Sequence, residues 1–137
     1  MKKIFFDTNV VLDILLGRSG AAEALQITEL SCKDQFVRIY ISSLTVANCA
    51  YVMRSLGIEQ VKSMCRDLLR SYSVIPLGDM QISDAATADA SDDFEDMLQI
   101  MCAESKECDF IITNNTKDFR RYSNIPVYTP SEFLQKI

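Results

Sequence analysis

Two kinds of apolar pattern alternate along the chain. Short continuous apolar runs predict buried strands, whereas segments in which apolar residues recur every three or four positions predict amphipathic helices. The predicted strands span residues 4–6, 37–41, 110–112 and 126–128, and a further short extended piece spans 74–77. Buried strands that alternate with helices predict a central parallel sheet covered on both faces. The expected fold class is therefore α/β, a three-layer α/β/α sandwich.

The segments between the predicted strands have helical spacing. Gly17 and Gly57 are natural helix terminators, and residues 42–43 and 91–93 supply serine or aspartate candidates for helix N-caps. Residues 117–119 are expected to form a turn. The predicted helices span residues 8–16, 20–33, 44–56, 58–71, 79–90 and 94–105, followed by a short helix that ends the chain.

The size and composition of the chain indicate its general class. A length of 137 residues suits one domain that spans residues 1–137. Hydrophobic residues make up 48% of the chain, which is too many for a disordered protein. Polar residues interrupt each apolar run well short of the roughly 18 residues that a membrane span needs. Asp7 interrupts the N-terminal run before it could form a secretion signal. We therefore expect a soluble cytoplasmic protein.

The sequence contains no histidine and five cysteines. The cysteine count is odd and no pair has the spacing of a zinc motif, so structural zinc sites and disulfide frameworks are disfavoured. The absence of histidine excludes catalysis by a serine or cysteine nucleophile that relies on an imidazole base. Any chemistry must therefore come from carboxylates, hydroxyls, amides or lysines.

Negative charge is concentrated in one part of the chain. Residues 79–118 contain eleven acids and two bases, a net charge of −9, whereas the other 97 residues contain eight acids and twelve bases, a net charge of +4. A solvated helix face produces such an asymmetry. A group of carboxylates that binds a hard cation produces the same asymmetry.

Polar residues follow two of the predicted strands directly. Asp7 follows the first strand, and residues 113–115 follow the strand at 110–112, so the topology of a parallel sheet brings them to one edge. Asp93 and Asp96 lie three residues apart at the start of a helix and can face one direction. Asp118 lies three residues beyond Asn115, in the expected turn at 117–119. Carboxylates that gather in one crevice repel each other, and a bound Mg²⁺ or Mn²⁺ would explain why they coexist.

Three segments of the sequence resemble the signature segments of PIN domains. They read FFDTNVVLD at residues 5–13, DFEDMLQ at 93–99 and IITNNTKDF at 111–119. The segment IPVYTPSEFL at 125–134 is similar to the last strand and helix of the family. The resemblance implies an α/β/α sandwich and a ribonuclease that depends on Mg²⁺ or Mn²⁺. It also implies the toxin of a toxin–antitoxin pair, with RNA as substrate, an antitoxin protein as partner and a homodimeric assembly.

The resemblance also assigns roles to residues. It implies that Asp7, Asp96 and Asp118 are catalytic and bind metal, that Asn115 is a further metal ligand, and that Thr113 lines the site. These five residues come from the first and third signature segments and from the central acidic helix.

Two positions depart from the family pattern. Asn48 aligns with the usual second acid, a glutamate, and Asn114 replaces an arginine that often precedes the asparagine of the third segment. The first departure removes a negative charge from the metal site, and Asp93 could restore it. We expect the side chain of Asn48 to face Asp7 and Asp96 across the crevice.

The basic residues beside the third segment are candidates for contacts with the phosphates of RNA, although a solvated turn would also contain them. They are Lys117, Arg120 and Arg121. An alternative function also remains open. Asn48 and the lack of strong basic character are compatible with a PIN fold whose catalysis has weakened and which binds RNA or a protein partner.

Overall fold

A computed structural model describes residues 1–88 and 93–137 of the protein. Its centre is a parallel sheet of five strands. The strands are β1 (Lys2–Phe6), β2 (Val37–Ser42), β3 (Ser73–Ile75), β4 (Phe110–Ile112) and β5 (Val127–Tyr128). Their order across the sheet is β3-β2-β1-β4-β5, and every pairing is parallel. The chain thus builds one side of the sheet outward from β1 and then returns to build the other side, so β1 and β4 meet at a topological switch point.

Helices cover both faces of this sheet. They are α1 (Thr8–Leu16), α2 (Ala21–Lys33), α3 (Ser43–Val52), α4 (Ile58–Ser71), α5 (Asp79–Thr87), α6 (Phe94–Ser105), α7 (Thr116–Tyr122) and α8 (Pro130–Lys136), with a 3₁₀ turn at Arg54–Leu56. Successive side chains of a strand point to opposite faces. Ile4 and Phe6 of β1 accordingly pack in a core with α1, α2, α3, α4 and α8, whereas Phe5 packs in a second core with α5, α6 and α7. The predicted three-layer α/β/α sandwich is confirmed.

Most element boundaries agree with the sequence prediction, and three differences have physical reasons. The predicted helix at 44–56 is divided, because α3 ends at Val52 and a 3₁₀ turn precedes Gly57, whose φ of 95° suits glycine. The extended piece at 74–77 forms the edge strand β3. The predicted turn at 117–119 was wrong. These residues belong to α7, which is only seven residues long and so shows no clear apolar period.

One predicted boundary lies outside the described residues. Helix α5 is described to Thr87, whereas its predicted end at Ala90 and the cap candidates Ser91 and Asp92 fall in the gap. Asp93 begins the following described part and caps α6, as its sequence position predicts. Within the described residues, no helix combines the length and the apolar content needed to cross a membrane.

Candidate active site

Asp7 lies at the junction between β1 and α1, beside the end of β4. Its backbone is extended, its amide donates to the carbonyl of Ile112 at 3.0 Å, and its carboxylate caps α1 by accepting from the Thr8 amide at 2.8 Å. The Thr113 hydroxyl donates to the second oxygen, Oδ2, at 2.8 Å. Asp7 is only 5% exposed, and this burial raises its pKa although the hydrogen bonds oppose the rise. A buried carboxylate thus lies at the switch point of the sheet, and both of its oxygens accept hydrogen bonds.

Asp96 lies in the first turn of α6. The carboxylate of Asp93 accepts from the Asp96 amide at 3.1 Å and thereby caps the helix. The side-chain amide of Asn115, from the loop after β4, donates to Asp96 Oδ2 at 2.9 Å. The two carboxylates and the loop after β4 therefore belong to one connected site, as the sequence predicts.

The electrostatics of Asp96 show that several acids converge on it. Burial raises the pKa of Asp96 to about 7, and the negative charges of Asp7, Asp93, Asp118 and Glu95 contribute to the rise in that order. Asp118 is exposed on α7, and its charge still reaches Asp96. The charges of Asp7, Asp93 and Asp118 therefore act on Asp96, and the roles of these acids as metal ligands stay predictions. Sequence reasoning missed Glu95, although it stands directly before Asp96 in the same acidic turn.

Asn48 differs from the expectation of a side chain turned toward Asp7 and Asp96. Its side-chain amide donates to Glu95 Oε1 at 2.8 Å, so it joins α3 to the first turn of α6. Glu95 is a longer, exposed carboxylate next to Asp96, and it is therefore the group within reach of Asn48 across the crevice. The charge missing at position 48 is thus partly replaced by a carboxylate that Asn48 itself holds.

A buried polar cluster lies beneath the two carboxylates, and sequence reasoning missed it. Its centre is Gln99, one turn after Asp96 on α6, whose side-chain NH₂ donates to Asp7 Oδ1 at 3.2 Å. The same nitrogen lies 2.8 Å from the Thr8 hydroxyl and 2.9 Å from the Thr45 hydroxyl, so its two hydrogens are shared among three acceptors, and the Gln99 carbonyl accepts from the Ser42 hydroxyl. The available signal was a polar residue on a helix whose neighbouring positions are almost all apolar and buried.

The loop after β4 is fixed against α1 by a second group of polar side chains. Asn114, at the position where the family often has arginine, donates from its side-chain amide to Asp13 Oδ2 at 2.7 Å. Arg18 donates to the other oxygen of Asp13 at 3.0 Å, and the Asn114 backbone amide contacts Asn9 Oδ1 at 3.4 Å. Asn114 therefore has a structural contact that orients the loop in which Thr113 and Asn115 lie.

The three basic candidates beside the site have different surroundings. Arg120 donates to the Val127 carbonyl and to Glu132 Oε1 at 2.9 Å, so its guanidinium joins α7 to β5 and α8. Arg120 is nevertheless exposed, and a guanidinium has five N–H donors, so its contact with phosphate stays a prediction. Lys117 is exposed, and Arg121 is exposed with its guanidinium 5.3 Å from the Tyr122 ring. Both remain available to a ligand on the surface of α7.

The oxygen atoms of the site that could bind a metal fit a hard divalent cation that keeps part of its water shell. They are carboxylate, amide and hydroxyl oxygens, which suit Mg²⁺ or Mn²⁺. In the two described ranges, 1–88 and 93–137, no three acidic or thiol side chains approach closely enough to form a complete cage for an ion. Mg²⁺ is usually held by one or two carboxylates and several waters, and the role of Asp7 and Asp96 as its ligands stays a prediction.

Comparison with known proteins agrees with this architecture. The family model described as PIN domain matches residues 3–117. No curated protein sequence matches the chain. The fold is similar to VapBC2 of Rickettsia felis, solved bound to a DNA fragment from its promoter, with 19% identity, a TM-score of 0.66 and coverage of 93% of this chain and 98% of the other.

Two further solved structures share the fold. A toxin–antitoxin complex from Klebsiella pneumoniae has 24% identity, a TM-score of 0.66 and coverage of 93% of this chain and 97% of the other. VapC20 of Mycobacterium tuberculosis, described as a toxin that cleaves the sarcin–ricin loop, has 13% identity, a TM-score of 0.64 and coverage of 90% and 99%. At these identities the likeness establishes the fold.

Proposed function

The chain belongs to the PIN domain family, and from this premise we propose that it is a ribonuclease that depends on Mg²⁺ or Mn²⁺. The observation that carries the proposal is that Asp7 at the switch point and Asp96 on α6 are joined by the loop after β4, through Thr113 and Asn115. Asp96 has a pKa of about 7 because burial and four other carboxylates disfavour its charge. A protein gains nothing in stability from such crowding, whereas a cation site requires it.

Asp7 and Asp96 would hold the cation, and Asp118 and Asn115 would complete its surroundings. When bound, the cation polarises a phosphate and lowers the pKa of a water molecule. Thr113 keeps Asp7 oriented through its hydroxyl, and Asn115 keeps Asp96 oriented through its amide. Hydrolysis of a phosphodiester by water needs no histidine under these conditions, which fits the composition of the chain.

The exposed face of α7 is the proposed contact for the RNA backbone. Lys117 and Arg121 lie on either side of Asp118 in sequence and are both exposed, so they can reach phosphates near the site. Such contacts supply affinity without sequence choice. Arg120 is also exposed on α7, and its guanidinium contacts Val127 and Glu132 through Nε and Nη2, so it stays a further candidate for a phosphate contact.

The partners follow from the same family. Structures with this fold include toxin–antitoxin complexes from Rickettsia felis and Klebsiella pneumoniae. By analogy, this chain would be the toxin of such a pair, would bind an antitoxin protein, would form a homodimer and would act in the cytoplasm.

Two observations favour a second function. Within the described residues no complete ion cage is formed, and Asn48 lacks the charge of the family's usual glutamate. Both are compatible with a PIN fold that binds RNA or a protein partner without cutting it. This alternative requires RNA retention without metal-dependent cleavage.

An assay with mixed structured RNAs distinguishes the two functions. Purified protein is incubated with these RNAs in Mn²⁺ and, in parallel, in EDTA, and both cleavage and RNA retention are measured. The proposal expects cleavage in Mn²⁺ only and its loss in Asp7→Asn/Asp96→Asn. Glu29→Gln, which removes an exposed charge from α2 in the opposite layer, is the matched control and should cleave like the parent. Retention of RNA without cleavage would favour the binding module.

A further inference from the structure

Gln99 is a polar side chain in an almost completely buried position. It is 1% exposed, and the residues next to it on α6 are buried apolar side chains. A buried amide costs free energy unless its atoms are hydrogen-bonded. Within the described part of the chain, every buried side-chain nitrogen and oxygen has a partner, and the partners of Gln99 lie at the ends of β1 and β2 and at the starts of α1 and α3.

The orientation of the Gln99 amide is determined by its neighbours. Carboxylate oxygens accept hydrogen bonds, and the NH₂ group of Gln99 faces Asp7 Oδ1 at 3.2 Å. The Gln99 carbonyl then faces the hydroxyl of Ser42, which donates to it. The hydroxyls of Thr8 and Thr45 share the hydrogens of the same NH₂ with Asp7 and hydrogen-bond to each other at 2.8 Å. The reversed amide would place its oxygen against the Asp7 carboxylate, so only one orientation is favourable.

We propose that Gln99 is a positioning residue that fixes the Asp7 carboxylate relative to Asp96. Gln99 and Asp96 are three residues apart on α6 and so lie on neighbouring turns of the same face. The helix that carries one carboxylate therefore also carries the amide that holds the other. The separation of the two carboxylates is then set by a rigid helix rather than by two loops. This inference rests on the proposed function, in which both carboxylates serve one cation.

The choice of an amide follows from charge. A lysine at position 99 would neutralise Asp7 and remove the negative charge that a cation needs. A glutamate would place a further carboxylate against Asp7 and repel it. Glutamine donates a hydrogen bond to Asp7 and adds no charge, so it orients the ligand and leaves the charge of the site unchanged. Groups that orient metal ligands in this way commonly change metal affinity by about 10- to 100-fold when they are replaced.

The substitution Gln99→Met tests the inference, because methionine has a similar length and shape but donates no hydrogen bond. Mn²⁺ affinity is measured by calorimetry, and thermal unfolding is measured on the same samples. We expect the variant to fold and its Mn²⁺ dissociation constant to rise about tenfold or more. Thr28→Val is the matched control. Thr28 is a buried threonine on α2 that hydrogen-bonds to the Tyr72 hydroxyl at 3.0 Å, in the opposite layer. It should lose stability with no change in Mn²⁺ affinity.

The outcomes separate this inference from the proposed function. If the parent binds Mn²⁺, Asp7→Asn loses binding and Gln99→Met binds like the parent, the positioning role is wrong and the metal site stands. If the parent binds no Mn²⁺, the inference and the proposed function fail together. If Gln99→Met does not fold, Thr45→Val replaces it, because it removes an acceptor of the Gln99 amide without a contact to Asp7. That variant should bind Mn²⁺ a few-fold more weakly, and unchanged affinity would overturn the inference.

Discussion

Replacement of Asp96 by asparagine is expected to stabilise the metal-free protein while it removes metal binding. Asparagine has nearly the same shape, and its carbonyl can still accept the hydrogen bond that Asn115 donates at 2.9 Å. The substitution removes one negative charge from a group in which Asp7, Asp93, Asp118 and Glu95 all repel Asp96. The substitution therefore removes an electrostatic repulsion that lowers the stability of the metal-free protein.

The size and pH dependence of this effect follow from the pKa of Asp96. An acid whose pKa is higher in the folded than in the unfolded state makes folding less favourable as the pH rises. The penalty begins above the usual pKa of 3.8 and is complete once the pH exceeds about 7. Asp96 is only partly buried, so solvent screening reduces the effect to about 1–2 kcal/mol at pH 8. That corresponds to a melting temperature about 3–6 °C higher in a domain of this size.

Thermal unfolding followed by circular dichroism in EDTA measures this prediction. Parent and Asp96→Asn are compared at several pH values between 4 and 8, and Glu29→Gln serves as the control for removal of an exposed acid on α2. The difference between Asp96→Asn and the parent should be small near pH 4, should grow with pH and should level off above about pH 7. A variant that is no more stable than the parent at pH 8 would refute the reasoning, because Asp96 would then not lie in a repulsive group of carboxylates.

Three further expectations concern neighbouring groups. Mg²⁺ or Mn²⁺ should raise the melting temperature of the parent, by roughly 2.7 kcal/mol of stability at a hundredfold excess over Kd, with no preference for zinc; a shift that persists in Asp7→Asn/Asp96→Asn would place the metal elsewhere. Asn48→Glu should destabilise the protein in EDTA, because its carboxylate would meet that of Glu95, and should tighten Mn²⁺ binding; calorimetric titration measures this, and equal affinities would remove position 48 from the site. Thr113→Val should lower stability by about 1–3 kcal/mol, because Asp7 Oδ2 loses its buried donor; denaturant unfolding measures this.

The parts of the site that could be predicted from sequence are those that the topology determines. Asp7 and Thr113 directly follow buried strands, and in a parallel sheet the ends of neighbouring strands meet at one edge. Asp96 stands in the first turn of a helix whose start is indicated by an aspartate cap. These positions depend on local patterns and on one rule of topology, so the sequence contains enough information to bring them together.

The missed residues depend on contacts between distant segments. Gln99 is the polar residue within the buried apolar run 97–103 of α6, and only the packing of α6 against the rest of the fold reveals that it meets Asp7 and Ser42. From the sequence, Glu95 looks like an ordinary exposed acid on a helix, and only the structure shows that Asn48 on α3 contacts it. The contact between Arg120 and Glu132 was missed for the same reason, because Glu132 lies twelve residues away on another helix.

The most direct test of the account is the chemical identity of the RNA ends that the protein produces. Attack by water leaves a linear terminal phosphate, whereas attack by the RNA's own 2′-hydroxyl leaves a 2′,3′-cyclic phosphate. Cleavage in ¹⁸O-labelled water followed by mass spectrometry distinguishes these products in the parent, in Asp7→Asn/Asp96→Asn and in the control Glu29→Gln. We predict that the parent and the control form a linear phosphate that carries ¹⁸O, and that they do so in Mn²⁺ only. A cyclic phosphate, or equal cleavage by the double variant or in EDTA, would contradict it.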